Sequence, residues 1–223
     1  AEYTPNYTGT MTIGYDGSLG TITKLDDLLK PAFKGKVTIN GDPQGSSAGL
    51  NSIFMVNLAL GGTLDDISPA VAWFKKLKQV GNFINVNPTE ATIASGQTPV
   101  VMDNGYIAAG IAKTFAKAGK SWKMFTPASL GSTYNSAISA WAPHPACARL
   151  WMEFTLGEEG AGIWAGGGAT PTLWIWMVKT KRAPAAGLAA IGNSKVAPLK
   201  ATSDQSTKAR VYLKTAWPDA VGA

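Results

Sequence analysis

Apolar and polar residues alternate weakly through Thr10-Met11-Thr12-Ile13-Gly14-Tyr15, which predicts a strand over residues 10–15. Asp26-Asp27-Leu28-Leu29 predicts a helical turn that Pro31 ends. Lys36-Val37-Thr38-Ile39-Asn40 predicts a second strand. Leu50, Ile53, Phe54 and Leu58 then share one helical face, with Ser46 or Ser47 as cap and Gly61-Gly62 as terminator. Ser68-Pro69 predicts another helix, Ser68 capping it and Val71, Phe74 and Leu77 forming the buried stripe.

Farther on, the pattern predicts strands at 83–86, 99–102, 122–126 and 137–141, with helices at 89–95 and 105–118 between them. Strands alternating with helices imply an α/β fold with crossover units. After residue 143 the character changes. Residues 145–156 and 158–165 predict helices, residues 166–204 are weakly patterned, and 206–217 predict a last amphipathic helix. No internal repeat interrupts this order.

Hydrophobic residues make up 45% of the 223 and charged ones 15%, so the chain is globular rather than disordered. No apolar run is long enough to span a membrane. The start lacks a basic segment followed by an apolar one, so a signal peptide is expected to be removed or to lie outside the chain. The net charge of +6 is scattered, the densest run being Lys179-Thr180-Lys181-Arg182, which argues against a nucleic-acid face. Cys147 is the single cysteine, so no internal disulfide forms.

Two loops between strand and helix carry candidate chemistry, Gly41-Asp42-Pro43-Gln44-Gly45-Ser46-Ser47 and Met102-Asp103-Asn104-Gly105-Tyr106. Such junctions are where α/β sheets hold ligands. Helix N–H groups and the hydroxyls of Ser46 and Ser47 favour an anionic group there. Asp42 and Asp103 favour an ammonium group or a metal ion. Tyr15, Tyr106 and Tyr134 can flank an alkyl-ammonium chain. Each has a plainer reading: Asp42 and Asp103 as turn residues, the serines as caps, the tyrosines as core. Trp73, Trp151 and Trp164 read as core, Cys147 as a small buried helix residue and His144 as a helix-start residue.

No metal-ligand spacing of Cys and His occurs, and neither metal nor cofactor is expected. Ala118-Gly119-Lys120-Ser121 is not a phosphate loop, since Thr114 stands where the upstream glycine belongs. A nucleophile elbow is absent, and Asn6-Tyr7-Thr8 is a glycosylation sequon by pattern only.

The order Leu28-Leu29-Lys30-Pro31-Ala32-Phe33-Lys34-Gly35-Lys36-Val37, Gly41-Asp42-Pro43, Ala142-Pro143-His144-Pro145-Ala146-Cys147-Ala148-Arg149-Leu150-Trp151 and Gly157-Glu158-Glu159-Gly160 resembles the extracytoplasmic solute-binding proteins of bacterial ABC importers, in the polyamine- or iron-type branch. Ala94 to Val101 is similar to a further element of that family, and Phe125-Thr126-Pro127-Ala128-Ser129-Leu130-Gly131 resembles its return crossover. Tyr134-Asn135 follows, where aromatic residues near the ligand are common. Met102 departs from the aromatic expected before Asp103, and Cys147 from an alanine. Thr172-Leu173-Trp174-Ile175-Trp176-Met177 is unusually rich in tryptophan.

The resemblance implies a periplasmic-binding-protein-like (type II) lobe, a central mixed sheet flanked by helices, with C-terminal helices added. Residues 1–15 would be a crossover strand and remnant of a first lobe. Residues 16–126 would form the α/β ligand-binding lobe, and 127–223 the return crossover and helices packing on the first lobe and hinge. It implies ligand-binding roles for Tyr15, Asp42, Ser46, Ser47, Asp103, Tyr106, Ser129 and Tyr134. It further implies a periplasmic or cell-surface-anchored protein that closes on a small polar ligand and delivers it to a membrane permease. That ligand is a polyamine, another small cation, or ferric iron with a synergistic anion, and the aspartates and tyrosines favour an organic cation.

The lobe that precedes this region in the family is expected to be missing, leaving apolar helix faces after residue 143 exposed or covered by self-association. No enzymatic activity is expected. Rival readings are a transferase of similar two-lobed architecture and a ligand-sensing regulatory domain.

Overall fold

A computed structural model describes residues 3–193 and 197–222. The chain divides into two units, one of residues up to Thr10 with Gly131–Pro198, the other of Met11–Leu130 with residues from Leu199 on. Strand β1 (Thr4–Asp16) starts in the first and runs into the second.

In the second unit, β1 pairs antiparallel with β3 (Val100–Asn104), from Met11 opposite Asn104 to Tyr15 opposite Val100. On its other side it pairs with β4 (Trp122–Phe125), Ile13 facing Phe125. Strand β2 (Val37–Ile39) runs parallel to β3. The sheet is therefore mixed, as expected. The predicted strand at 83–86 reduces to one parallel bridge from Val37 to Phe83, because Ile84 donates to the Val37 carbonyl before the chain turns away.

Four helices follow the predicted order: α1 (Ser47–Ala59), α2 (Ser68–Gln79), α3 (Glu90–Ala94) and α4 (Gly105–Lys117). Ser46 caps α1 by accepting from the Gly49 N–H at 3.1 Å. Ser68 is the first residue of α2 rather than its cap, which is Ile67. Asn57, fully buried, donates to the carbonyls of Thr63 and Asp66 at 2.6 and 2.7 Å and accepts from the Ala70 N–H. This one side chain fixes the α1–α2 connection.

In the first unit, β5 (Gly131–Ser136) pairs with β1 from Thr10 opposite Gly131 to Thr4 opposite Ser136, and β6 (Thr170–Pro171) pairs with Thr8 and Tyr7. The predicted strand at 137–141 is displaced upstream to β5, where β1 offers a ladder. Helices α5 (Pro145–Leu156), α6 (Glu158–Gly166), α7 (Trp174–Lys179) and α8 (Ala185–Ile191) complete this unit. Its core joins Ala161 and Ala165 to Trp174 and Met177, so the tryptophan-rich segment supplies packing. Two expectations are corrected on α5. Cys147 is exposed, and Trp151 is 64% exposed beside Leu150 at 72%. They share a face with Phe154, at i, i+3, i+4 and i+7, and none of the four belongs to this unit's described core cluster.

Helix α9 (Ser203–Val221) belongs with the second unit, not with α5–α8 as the sequence reading placed it. Its Ala209, Leu213 and Trp217 stripe buries against α1 and α2. The Trp217 ring meets Phe74 at 5.2 Å and Phe83 at 5.8 Å, both edge-on.

Candidate functional site

β2 and β3 are parallel neighbours, so both their C-terminal ends and the helices they feed open on one edge of the sheet. Asn40 follows β2 and Asp103 lies near the end of β3. The Asn40 amide donates to Asp103 Oδ2 at 2.8 Å. Asp103 Oδ1 accepts the Asn104 N–H at 2.7 Å. Ser46 ties in the first loop by donating to the Asn40 carbonyl at 2.9 Å. A hydrogen-bonded chain thus runs from the α1 cap to the β3 carboxylate.

Asp103 is 5% exposed, and neither ion pair found among the described residues includes it. Burial pushes its carboxyl above the ordinary range, against the donors Asn104 and Asn40, which pull it down. Its place just ahead of α4 adds a favourable helix dipole for the ionised form.

Beside Asp103 opens a cleft of about 440 Å³ between α3 and α4. Asn40, Asp103 and Tyr106 line it, with Thr89 and Glu90 from the start of α3. Apolar residues, Ile93, Val101, Ile107, Ile111 and Phe115, supply the remaining large side chains.

Of the eight residues singled out, the structure brings Asp103 and Tyr106 into this cleft. Asp42, Ser46 and Ser47 lie on the neighbouring loop, linked to it through Asn40. Asp42 is exposed and closes its own turn, accepting the Gln44 N–H at 2.9 Å. Ser47 is exposed at the start of α1. Tyr15 is core: it is 2% exposed and its hydroxyl accepts the Ile22 N–H at 3.2 Å. Ser129 is exposed, and its carbonyl accepts the Leu199 N–H. Tyr134 belongs to the first unit, stacked 4.8 Å from Tyr7, which itself stacks on Trp164 at 4.6 Å.

The sequence reading missed Asn40, legible as the residue that leaves β2 beside Asp103. It also missed Arg210 of α9, whose guanidinium donates to the carbonyls of Pro43 and Gln44 at 3.3 and 2.7 Å and steadies the first loop. Nothing in the sequence signals Arg210, since its partners are 167 and 166 positions away. Among the described residues no group of three or more His, Cys, Asp or Glu converges as a metal site, and no helix is long and apolar enough to cross a membrane.

A model of the family described as bacterial extracellular solute-binding protein matches residues 1–190. No curated protein matches the sequence. Among solved structures, the periplasmic binding protein P5PA aligns with a TM-score of 0.66 and 19% identity, covering 99% of this chain and 69% of its own. AfuA from Actinobacillus pleuropneumoniae, with exogenous fructose-6-phosphate bound, aligns at TM-score 0.61 and 19% identity over 99% of this chain and 68% of its own. Iron-bound HitA from Pseudomonas aeruginosa gives 0.59 and 20%, covering 100% and 70%. At these identities the likeness is one of fold.

Proposed function

Since the chain belongs to the bacterial extracellular solute-binding proteins, we propose that it is the solute-binding component of an ABC importer that captures a small organic cation, a polyamine being one such, and hands it to a membrane permease. In this reading it works in the periplasm or at the cell surface. Capture follows from a ligand binding a closed arrangement more tightly than an open one.

The observation that carries the cationic reading is Asp103. A carboxylate that is 5% exposed and joins no ion pair among the described residues is costly to keep charged. An incoming ammonium group would relieve that cost with a charge-assisted hydrogen bond. Oδ2 carries one described bond, from Asn40, which leaves an acceptor position for it. Tyr106 lines the same cleft and offers a ring face to the cation.

Titration calorimetry of the purified chain with spermidine, small monoammonium salts and inorganic phosphate tests this. An ammonium compound is expected to bind, and Asp103→Asn to weaken it by about tenfold or more, equal to about 1.4 kcal/mol. Binding of phosphate with no response to any ammonium compound would sink the cationic reading.

A further inference from the structure

The α3–α4 cleft lies beside the carboxylate and extends away from it along α4. Beyond Asp103 and Asn40, its wall becomes Ile93 and Val101, then Ile111 and Phe115 one and two turns along α4. Ile93, Val101 and Phe115 belong to one buried cluster with Ala108 and Trp122, so this wall is rigid. Glu90 is the other acidic residue of the lining and is exposed in the first turn of α3. Among the described lining residues none is Lys, Arg or His. Buried charge in the lining is therefore confined to Asp103; Glu90, Thr89 and Thr114 add polar groups, and the apolar wall is Ile93, Val101, Ile107, Ile111 and Phe115.

We propose that this cleft takes a ligand with a single ammonium group on a compact apolar body, an aryl-alkyl or branched alkyl ammonium, with the ammonium on Asp103 and the body between α3 and α4. This rests on the cationic reading above and narrows it. A linear polyamine carries further charges along its length; the exposed Glu90 can meet one, and any other would lie against Ile93, Ile107 and Ile111. Desolvating an ammonium there without a partner costs far more than the methylene contacts return. A phenyl or branched alkyl body instead gains from each apolar contact. The volume of about 440 Å³ suits such a molecule.

Gly110 provides the decisive variant. It lines the cleft from the exposed side of α4, and a Cβ built on it meets nothing within 4 Å. Gly110→Phe therefore projects a ring into open cleft space while removing a glycine from a helix interior, so the fold is kept or strengthened.

The experiment titrates phenethylammonium chloride and spermidine hydrochloride into the wild type, Gly110→Phe and Asp103→Asn, by calorimetry and by amide shifts of labelled protein. Phenethylammonium is expected to bind more tightly than spermidine and to shift the amides of residues 93 and 107–111. It should lose about tenfold or more in affinity in both variants, with the melting temperature of Gly110→Phe unchanged or raised. Tighter binding of spermidine, or wild-type binding of phenethylammonium by Gly110→Phe, overturns this proposal and leaves the organic-cation reading in place. Failure of both amines to bind the wild type overturns both.

Discussion

Asp103 and Asp27 are both buried carboxylates of the second unit, and their surroundings push them in opposite directions. Asp27 accepts from the Lys30 ammonium at 2.6 Å, from the Thr23 N–H and hydroxyl, and from the Lys24 N–H. Those donors, Lys30 first, hold its carboxyl far below the ordinary 3.8. Its stabilising contribution is thus present above pH 3.8 and is lost as pH falls toward the depressed value. Asp103 is raised by burial, so the folded state holds its proton to higher pH than the unfolded chain. The stability linked to that proton is complete below 3.8 and declines as pH rises through the raised value.

Melting temperatures between pH 3 and 7 should separate the two. Asp27→Asn should lower stability at neutral pH by an amount that shrinks on acidification, and Asp103→Asn should remove the decline above pH 3.8. A pH-independent effect of Asp27→Asn would refute the linkage. The sequence showed Asp103 because it stands between a β-rich run and a Gly-opened helix. It did not show that Asp42, in a matching loop, turns its carboxylate onto Gln44, because Asx turns and ligand carboxylates use the same residues in the same places. Tyr15 misled for a similar reason: its hydroxyl is satisfied by Ile22, seven residues on, inside the core.

Helix α1 owes its position to a close approach. A Cβ on Gly49 would lie 2.9 Å from the Pro43 nitrogen and 3.0 Å from its Cα, both backbone atoms that cannot swing aside. Glycine to alanine in a helix interior ordinarily stabilises by about 1 kcal/mol. Here Gly49→Ala should instead destabilise by about 1–3 kcal/mol and move the Pro43–Ser46 loop off Arg210. Chemical denaturation gives the sign, and a stabilised variant would show that the contact is soft. Helix α2 was legible because a one-sided apolar stripe needs no distant partner to be recognised, whereas α1, expected to bury one face, is buried continuously from Ser52 to Asn57 and was marked instead by its Ser46 cap and the Gly61-Gly62 stop. The strand expected at 83–86 and the one expected at 137–141 failed because a strand exists only where a neighbour offers a ladder, and short apolar runs do not name that neighbour.

The second unit is assembled from two stretches of chain far apart in sequence. Trp217 is 2% exposed and packs on Phe74 and Phe83, so α9 covers a face of the core around α2. A polypeptide ending at Leu130 should then lack a cooperative thermal transition and give collapsed amide spectra, since losing one buried tryptophan alone costs about 3–5 kcal/mol. A sharp transition in that fragment would show that α9 is dispensable. Fold class was legible from the alternation of strands and helices. The grouping of α9 with residues 11–130 was not, because its apolar stripe would suit either unit.

Strand β1 carries a kinetic consequence. Its residues 4–10 wait for partners at 131–136 and 170–171, and its residues 11–16 for partners at 100–104 and 122–125. The earliest strand is therefore among the last to be satisfied, and both units share the delay. Loop closure adds only about 0.6 kcal/mol for each doubling of length, so the cost falls mainly on rate. Refolding should be slow and limited by long-range closure. Until then β1, with its bare amide edges, is the stretch of chain most open to mispairing.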